Sequence, residues 1–337
     1  MKSLPIVGLI AIILAVGNLA SAEELVTFSG ATMGTRYAVT IPSREDVAEL
    51  QQKVDARLKE LNSLMSTYDE SSELSRFNQY AGDDWFAVSP EMATVVKFAL
   101  EVAASTDGAF DPTVGPAVNL WGFGPEGRRK TPPSDEEITA VQERIGYQNV
   151  EVRIDPPALR KKRPDVYLDL SAVAKGFAVD EIARLLEGAG LPSSLVVIGG
   201  EIFASGKKPD GSHWQIGIEE PDSQGRALER KVQIEDMAIG TSGDWQNSFR
   251  KDGVRYSHVI DPQTARPVKH NVAGVTVLAD RAIETDAWAT SLMVMGDEKG
   301  IAWCERNKVA AIFFVRRPNG HVTARASTFL AKRVSAE

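Results

Sequence analysis

Residues 166–200 read VYLDLSAVAKGFAVDEIARLLEGAGLPSSLVVIGG. Val166 to Leu170 has the pattern of a strand and enters the small-residue run Ser171-Ala172-Val173-Ala174-Lys175-Gly176. Phe177 to Leu186 then reads as a helix, and Ser194 to Ile198 as a β-branched strand ending on Gly199-Gly200. A strand, a helix and a strand in succession would open a doubly wound sheet or a barrel if the neighbours kept the alternation. They do not.

Downstream, Trp214, Ile216 and Ile218 form an alternating strand, and Tyr256, Val259 and Ile260 a strand or strand edge before the Asp261-Pro262 turn. Val272 to Leu278 is a further strand, Thr285 to Met295 a helix, and Val309 to Val315 a strongly β-prone run. Upstream, Val26 to Ile41 holds two strand-like pieces around Gly30-Ala31-Thr32-Met33-Gly34. Val47, Leu50, Val54, Leu58, Leu61 and Leu64 recur at spacings of three or four, one face of an amphipathic helix. Ser72 is placed to cap a short helix containing Leu74 and Phe77. Ser89 to Ser105 is a second amphipathic helix with Pro90 in its first turn. A turn-forming connection follows from Thr106 to Pro116, then a polar linker from Pro125 to Asp135 and a short helix from Glu136 to Ile145. Strands and helices mix without a regular βα order, which predicts an α+β fold packed as one compact unit.

The chain has 337 residues, is 43% hydrophobic and carries a formal charge of −8. That supports a large core and argues against nucleic acid as a main partner, since neutralising phosphates needs clustered Lys and Arg. The run Arg160-Lys161-Lys162-Arg163 is short and reads as a solvated turn. Lys2, the apolar run from Leu4 to Val16 and the small residues Ala20-Ser21-Ala22 follow the pattern of a cleaved secretory signal peptide over residues 1–22. The apolar run is short for a stable membrane span, and without a cysteine near the predicted cut a lipid anchor there is not expected. A periplasmic protein is therefore expected. Cys304, the single cysteine, lies in an apolar setting and reads as a buried, inert thiol.

Small-residue turns beside acids or hydroxyls recur at residues 30–34, 108–116 and 240–244. Such turns let backbone N–H groups converge on anionic oxygens, or simply reverse the chain. Asp286 and Thr290 are four apart on a predicted helix and so share a face. Together they offer hard oxygen ligands suited to Mg²⁺, or a helix N-terminal acid and a threonine bonded back to its own turn. Lys175 could meet a phosphate or send its ammonium to solvent; Asp111 and Asp169 could touch a ligand or cap turns. His258, in Gly240 to Pro262, is the best proton-moving group in the chain, with Tyr256, Ser257 and Asp261 as neighbouring partners. There is no HExxH, C-x-x-C or GxSxG pattern, which lowers the odds of a zinc protease, a thiol redox enzyme or a serine hydrolase.

Taken in order, a set of short motifs resembles the ApbE-type FAD:protein FMN transferases. They are Met33-Gly34-Thr35-x-Tyr37, Ser66-Thr67-Tyr68-Asp69 with Ser72-Glu73-Leu74-Ser75-x-Phe77-Asn78, Phe110 to Pro116, and Trp121-Gly122-Phe123-Gly124. Asp169-Leu170-Ser171-x-x-Ala174-Lys175-Gly176, Gly199-Gly200-Glu201, Thr241 to Asp244, Ser257 to Pro262 and Asp286-Ala287-x-Ala289-Thr290 complete the series. The resemblance implies a single domain over residues 23–337, Mg²⁺ dependence and FAD as bound substrate. It implies transfer of the FMN moiety to a Thr or Ser hydroxyl, with AMP leaving. The acceptors it implies are flavoprotein subunits of membrane redox complexes. By the same resemblance the metal is held by Asp286, Thr290 and the carbonyl of Ala172. FAD is contacted by Met33, Tyr68, Ala109, Phe110, Asp111, Asp169, Lys175, Tyr256 and Ser257, and His258 takes the proton of the acceptor hydroxyl. An FAD pyrophosphatase, with water as nucleophile, and a non-catalytic FAD carrier are the alternatives. The chain departs from the family pattern at Ala265, commonly glycine, and at Glu284-Thr285, where alanine often precedes the acid. Ser29-Gly30-Ala31-Thr32 resembles part of an acceptor motif, but its place beside Met33 favours a turn or an FAD contact.

Overall fold

The structure, a computed structural model, describes residues 24–129, 131–221, 227–244 and 247–333. The expected leader, residues 1–22, lies outside the described residues. Strands β1 (Leu25–Thr32) and β2 (Thr35–Pro42) form a hairpin whose turn places Met33 and Gly34 at positive φ. Helix α1 (Val47–Met65) buries Leu50, Val54, Leu58 and Leu61, the face its periodicity predicts. In α2 (Glu73–Gln79) the Ser72 hydroxyl accepts from the Ser75 N–H at 3.0 Å, the expected cap. A short strand β3 (Phe86–Ala87) precedes α3 (Pro90–Ser105), and α4 (Gly115–Leu120) and α5 (Asp135–Gln142) follow. Next come β4 (Val150–Ile154), β5 (Pro157–Lys161), α6 (Ala174–Gly188), β6 (Ser194–Ile198) and β7 (Glu201–Ser205).

The C-terminal half runs β8 (Trp214–Pro221), β9 (Ala227–Ile234), β10 (Met237–Gly243), β11 (Ser248–Lys251), β12 (Val254–Ser257), β13 (Ile260–Asp261) and β14 (Arg266–Pro267). It continues with β15 (Val272–Ala279), α7 (Ala282–Asn307), β16 (Ala310–Arg316), β17 (Val322–Ala326) and α8 (Leu330–Arg333). Eight strands form one sheet in the order β1-β2-β6-β7-β10-β15-β16-β17, and every neighbouring pair is antiparallel. An antiparallel sheet with helices as insertions is α+β, as the irregular element order predicts.

Helices α1, α3 and α6 share one core with β1, β2 and β6, while Trp214, Ile216 and Ile218 of β8 cover part of the opposite face. The strand β15 is buried at every residue because its Val272, Val275 and Val277 pack with α7 and its Ala273 and Leu278 with β8, which explains its continuous apolar reading. Cys304 is buried, and burial pushes its thiol up to about 12, as expected of an inert side chain. Among the described residues no helix is long and apolar enough to cross a membrane.

Three local expectations are corrected. Val166 to Leu170 is not a strand: it is extended chain with Val166, Leu168 and Leu170 buried. In place of a paired strand, the Asn78 side chain donates to the Leu168 carbonyl at 2.8 Å and accepts its N–H at 2.7 Å. The Arg160–Arg163 run is not a solvated turn throughout, because Lys161 ends β5 and is 2% exposed. Its ammonium donates to the carbonyls of Asn78 and Tyr80 at the end of α2, and burial pulls it down to about 8. The small sheet β3-β5-β4 and helix α4 were not expected.

Candidate active site

The site is built where α6 begins against α7. Each helix carries a carboxylate that bonds backbone N–H groups in the first turn of the other. Asp180 of α6 accepts from Ala282 N at 2.7 Å and Ile283 N at 3.1 Å, and Asp286 of α7 accepts from Gly176 N at 2.9 Å. The first turns of both helices carry unpaired donors that favour such anions. Contact this close requires Gly176, where a Cβ would lie 2.2 Å from the Ala282 carbonyl oxygen. The other Asp286 oxygen accepts from Lys175 Nζ at 2.9 Å, and the same ammonium reaches the Ser171 carbonyl at 3.1 Å. Burial disfavours that ammonium, but Asp286 and Glu201 outweigh it and hold Lys175 above its ordinary value.

Asp286, Thr290, Ala172 and Lys175 all line one cavity of about 730 Å³, a volume suited to a large cofactor-sized molecule. A carboxylate, a hydroxyl and a backbone carbonyl form an all-oxygen donor set, which fits Mg²⁺ rather than a soft metal. Among the described residues no group of three or more His, Cys, Asp or Glu could hold a metal ion. A metal here would need donors of mixed type, completed by ligand or water.

Glu201 opens β7 directly after the Gly199-Gly200 turn and lies on the same wall, 4% exposed. Its Oε1 stands 3.9 Å from Lys175 Nζ, and among the described residues no donor meets its buried Oε2. Burial raises this carboxyl well above its ordinary value; the neighbouring Asp286 adds to the rise and Lys175 opposes it. The sequence reading gave Glu201 no role. An acid immediately after a Gly-Gly turn was the available signal.

A second wall comes from the two-stranded hairpin β11–β12 and the residues after it. Tyr256 stacks between Trp121 and Phe249 with centroids 5.4 and 5.1 Å away; Phe249 stacks on Phe123, whose ring edge meets His258 at 6.4 Å. On the hairpin's other side, Asp244 accepts two 2.7 Å bonds from Arg316 of β16 and one from Arg255 of β12. His258 lines the cavity, and its Nδ1 lies 3.1 Å from the Asn247 carbonyl oxygen. A carbonyl can only accept, so Nδ1 carries the proton and Nε2 keeps a free lone pair. The ring is thus oriented by Asn247, not by Tyr256, Ser257 or Asp261. Burial, with Arg255 and Lys175 adding, lowers the imidazole below its ordinary value, against the Asn247 carbonyl and Asp244.

Of the sequence-predicted residues, the cavity collects Tyr68, Ala109, Phe110, Asp111, Asp169, Ala172, Lys175, His258, Asp286 and Thr290. Tyr68 is 69% exposed, leaving its ring face free to stack. Asp111 and Asp169 also hold turns: Asp111 accepts from Thr113 and from Tyr147 N, Asp169 from Ser171 N. Met33, Tyr256 and Ser257 do not line the cavity. Met33 occupies the β1–β2 turn, Tyr256 faces the aromatic stack, and the Ser257 hydroxyl is buried. The Ala265 departure falls at φ 51, a conformation that favours glycine, and its carbonyl accepts from Trp121 Nε1 at 2.8 Å. Glu284 pairs with Arg281 and Thr285 bonds back to the Ala282 carbonyl, so both act as helix-start residues.

The pattern of the ApbE family matches residues 33–313. The chain is 43% identical over 327 residues to the FAD:protein FMN transferase of Vibrio cholerae, covering 96% of this chain and 97% of the relative. It is 40% identical over 318 residues to the FAD:protein FMN transferase of Escherichia coli K12, covering 93% and 91%. The solved flavin transferase ApbE from Vibrio cholerae superposes with a TM-score of 0.86 at 42% identity, covering 92% of this chain and 99% of that one. The apo flavinyl transferase ApbE of Pseudomonas stutzeri superposes with a TM-score of 0.85 at 37% identity, covering 93% and 98%. Like these relatives it is a transferase in sequence and in fold, and the chain belongs to the ApbE family.

Proposed function

We propose that this chain transfers the FMN moiety of FAD to a Thr or Ser hydroxyl of an acceptor flavoprotein, in a Mg²⁺-dependent reaction that releases AMP. The observation that carries the reading is His258, whose unprotonated Nε2 shares a cavity with Asp286, Thr290 and Lys175. In the transfer, the acceptor oxygen forms a bond to the FMN phosphorus as the pyrophosphate bond to AMP breaks. His258 Nε2 takes the hydroxyl proton, a role its lowered basicity suits because the neutral ring prevails at neutral pH. Asp286, Thr290 and the Ala172 carbonyl would hold Mg²⁺, which when bound draws charge from the pyrophosphate and improves AMP as a leaving group. Lys175 adds a positive charge on the same wall, and the exposed ring face of Tyr68 offers a stacking surface for a flat heterocycle.

Residues 1–22 are read as a cleaved export signal and residues 23–337 as a single catalytic domain working in the periplasm, where an exported acceptor would meet it. Incubation with FAD, Mg²⁺ and an acceptor domain should raise the acceptor's intact mass by one phosphoester-linked FMN, with AMP in equal amount. A chelator should abolish both products. AMP and free FMN without acceptor modification would instead assign the chain as an FAD pyrophosphatase.

A further inference from the structure

Glu201 is difficult to explain as a structural residue. It is 4% exposed, its Oε2 has no hydrogen-bond partner among the described residues, and no backbone donor meets that oxygen. Burying a carboxyl this way is costly, and replacing it with an apolar side chain would relieve the fold. The surrounding chain nevertheless makes room for it. A Cβ on Gly240 would lie 2.3 Å from Glu201 Oε2 and 2.7 Å from Thr285 Oγ1. On the facing side, a Cβ on Gly199 would lie 3.2 Å from Lys175 Cδ. Gly240 thus clears space for Glu201, while Gly199, at φ 58 and with a Cβ that would meet Thr35 Cγ2 first at 2.9 Å, lies beside the Lys175 stem; the pair itself is not closed, at 3.9 Å.

Asp286 supplies the other half of the argument. Its Oδ2 is committed to the Gly176 N–H, a backbone group that cannot leave, whereas its Oδ1 is taken by the side chain of Lys175. A divalent cation that takes Oδ1, the oxygen held by a side chain that can move, would crowd the Lys175 ammonium and repel it. Lys175, whose side chain is 25% exposed, would keep its bond to the Ser171 carbonyl and the weaker pull of Asp169, but would lose its nearest counter-charge.

We propose that Glu201 is the second seat of the Lys175 ammonium: it receives Lys175 when Asp286 turns its Oδ1 to the metal. The inference rests on the metal reading of Asp286 and Thr290 given above. Glu201 is then a positioning residue, acting on metal affinity only through Lys175. A double-mutant cycle tests it, read by calorimetric titration of Mg²⁺ into the full-length protein without FAD. Glu201→Met should weaken Mg²⁺ binding at least about tenfold, but less than about threefold in a Lys175→Met background, where no ammonium needs a second seat. Circular dichroism and thermal melts establish that each variant is folded. If Glu201→Met does not fold, Glu201→Gln keeps the volume without the charge, and its loss should likewise shrink when Lys175 is absent. An equal factor in both backgrounds, including no loss in either, overturns the inference while leaving the metal reading standing. Absence of Mg²⁺ binding to the unsubstituted protein overturns the metal reading and the inference together.

Discussion

The two walls of the cavity are made in opposite ways. The α6–α7 wall is core: Gly176 lets the helices touch, two carboxylates join their first turns, and Asp286 is 4% exposed. The β11–β12 wall is a hairpin that pairs only with itself, and a lone hairpin is marginal in water. Among the described residues it is held through the Trp121–Tyr256–Phe249–Phe123 rings and through Asp244 with two arginines. Groups that would hold pyrophosphate and metal thus sit on core elements, while the proposed proton acceptor follows directly on the self-paired hairpin. That division suits a reaction with one small and one bulky protein substrate, because the bulky one demands more room as it docks.

The largest effect should separate the walls chemically. His258→Ala should lower the transfer rate by about 10²–10⁴-fold, the range for loss of a general base. FAD affinity, measured by fluorescence titration, should stay within a few-fold; equal loss of both would assign His258 to binding or folding. The core wall should break structurally instead. Gly176→Ala drives a Cβ into the backbone of Ala282 and Ile283, and should destabilise the fold by about 3 kcal/mol, the upper range for overpacking. Denaturant melts check it, and an unchanged midpoint would mean that α6 and α7 can separate at little cost.

Smaller still is the effect of loosening the hairpin. Tyr256→Ala removes two ring contacts, each about 0.5–1.5 kcal/mol, and should cost roughly tenfold in transfer with FAD affinity nearly unchanged. Faster amide exchange confined to residues 248–257 would accompany it; exchange spreading into α7 would erase the distinction between the walls. The mildest probe is pH. The base works unprotonated and its protonated form is disfavoured by burial, so the rate should fall as pH drops through a value below the ordinary 6.5. An acid limb centred above 6.5, or one that persists in His258→Gln, would place the titrating group elsewhere.

Much of this was legible from local pattern. The spacing of Val47 to Leu64 marked α1, Ser72 and Ser89 marked helix starts, and Ser194–Ile198 matched β6 residue for residue. Asp286 and Thr290 needed only helical periodicity to share a face, and both reach the cavity. Failures came where a distant side chain overrode local preference. Val166–Leu170 looks like a strand because its alternate residues are buried, yet Asn78, 90 residues away, supplies the partner that another strand would have given. Lys161 looks solvated until the open carbonyls at the end of α2 are placed over it.

The sequence by itself determined most element types, the helix caps at Ser72 and Ser89, the ordered motifs and the chemical kinds of group available for catalysis. These depend on backbone propensity and short-range periodicity, which act within a few residues. Only the tertiary structure decided the pairings: Asn247 orienting His258, Lys175 and Gly176 sharing Asp286 across 111 and 110 residues, and Glu201 left with an open oxygen. The physical reason is that a polar side chain has many possible partners of similar strength. Which one it meets is settled by how the core packs around it.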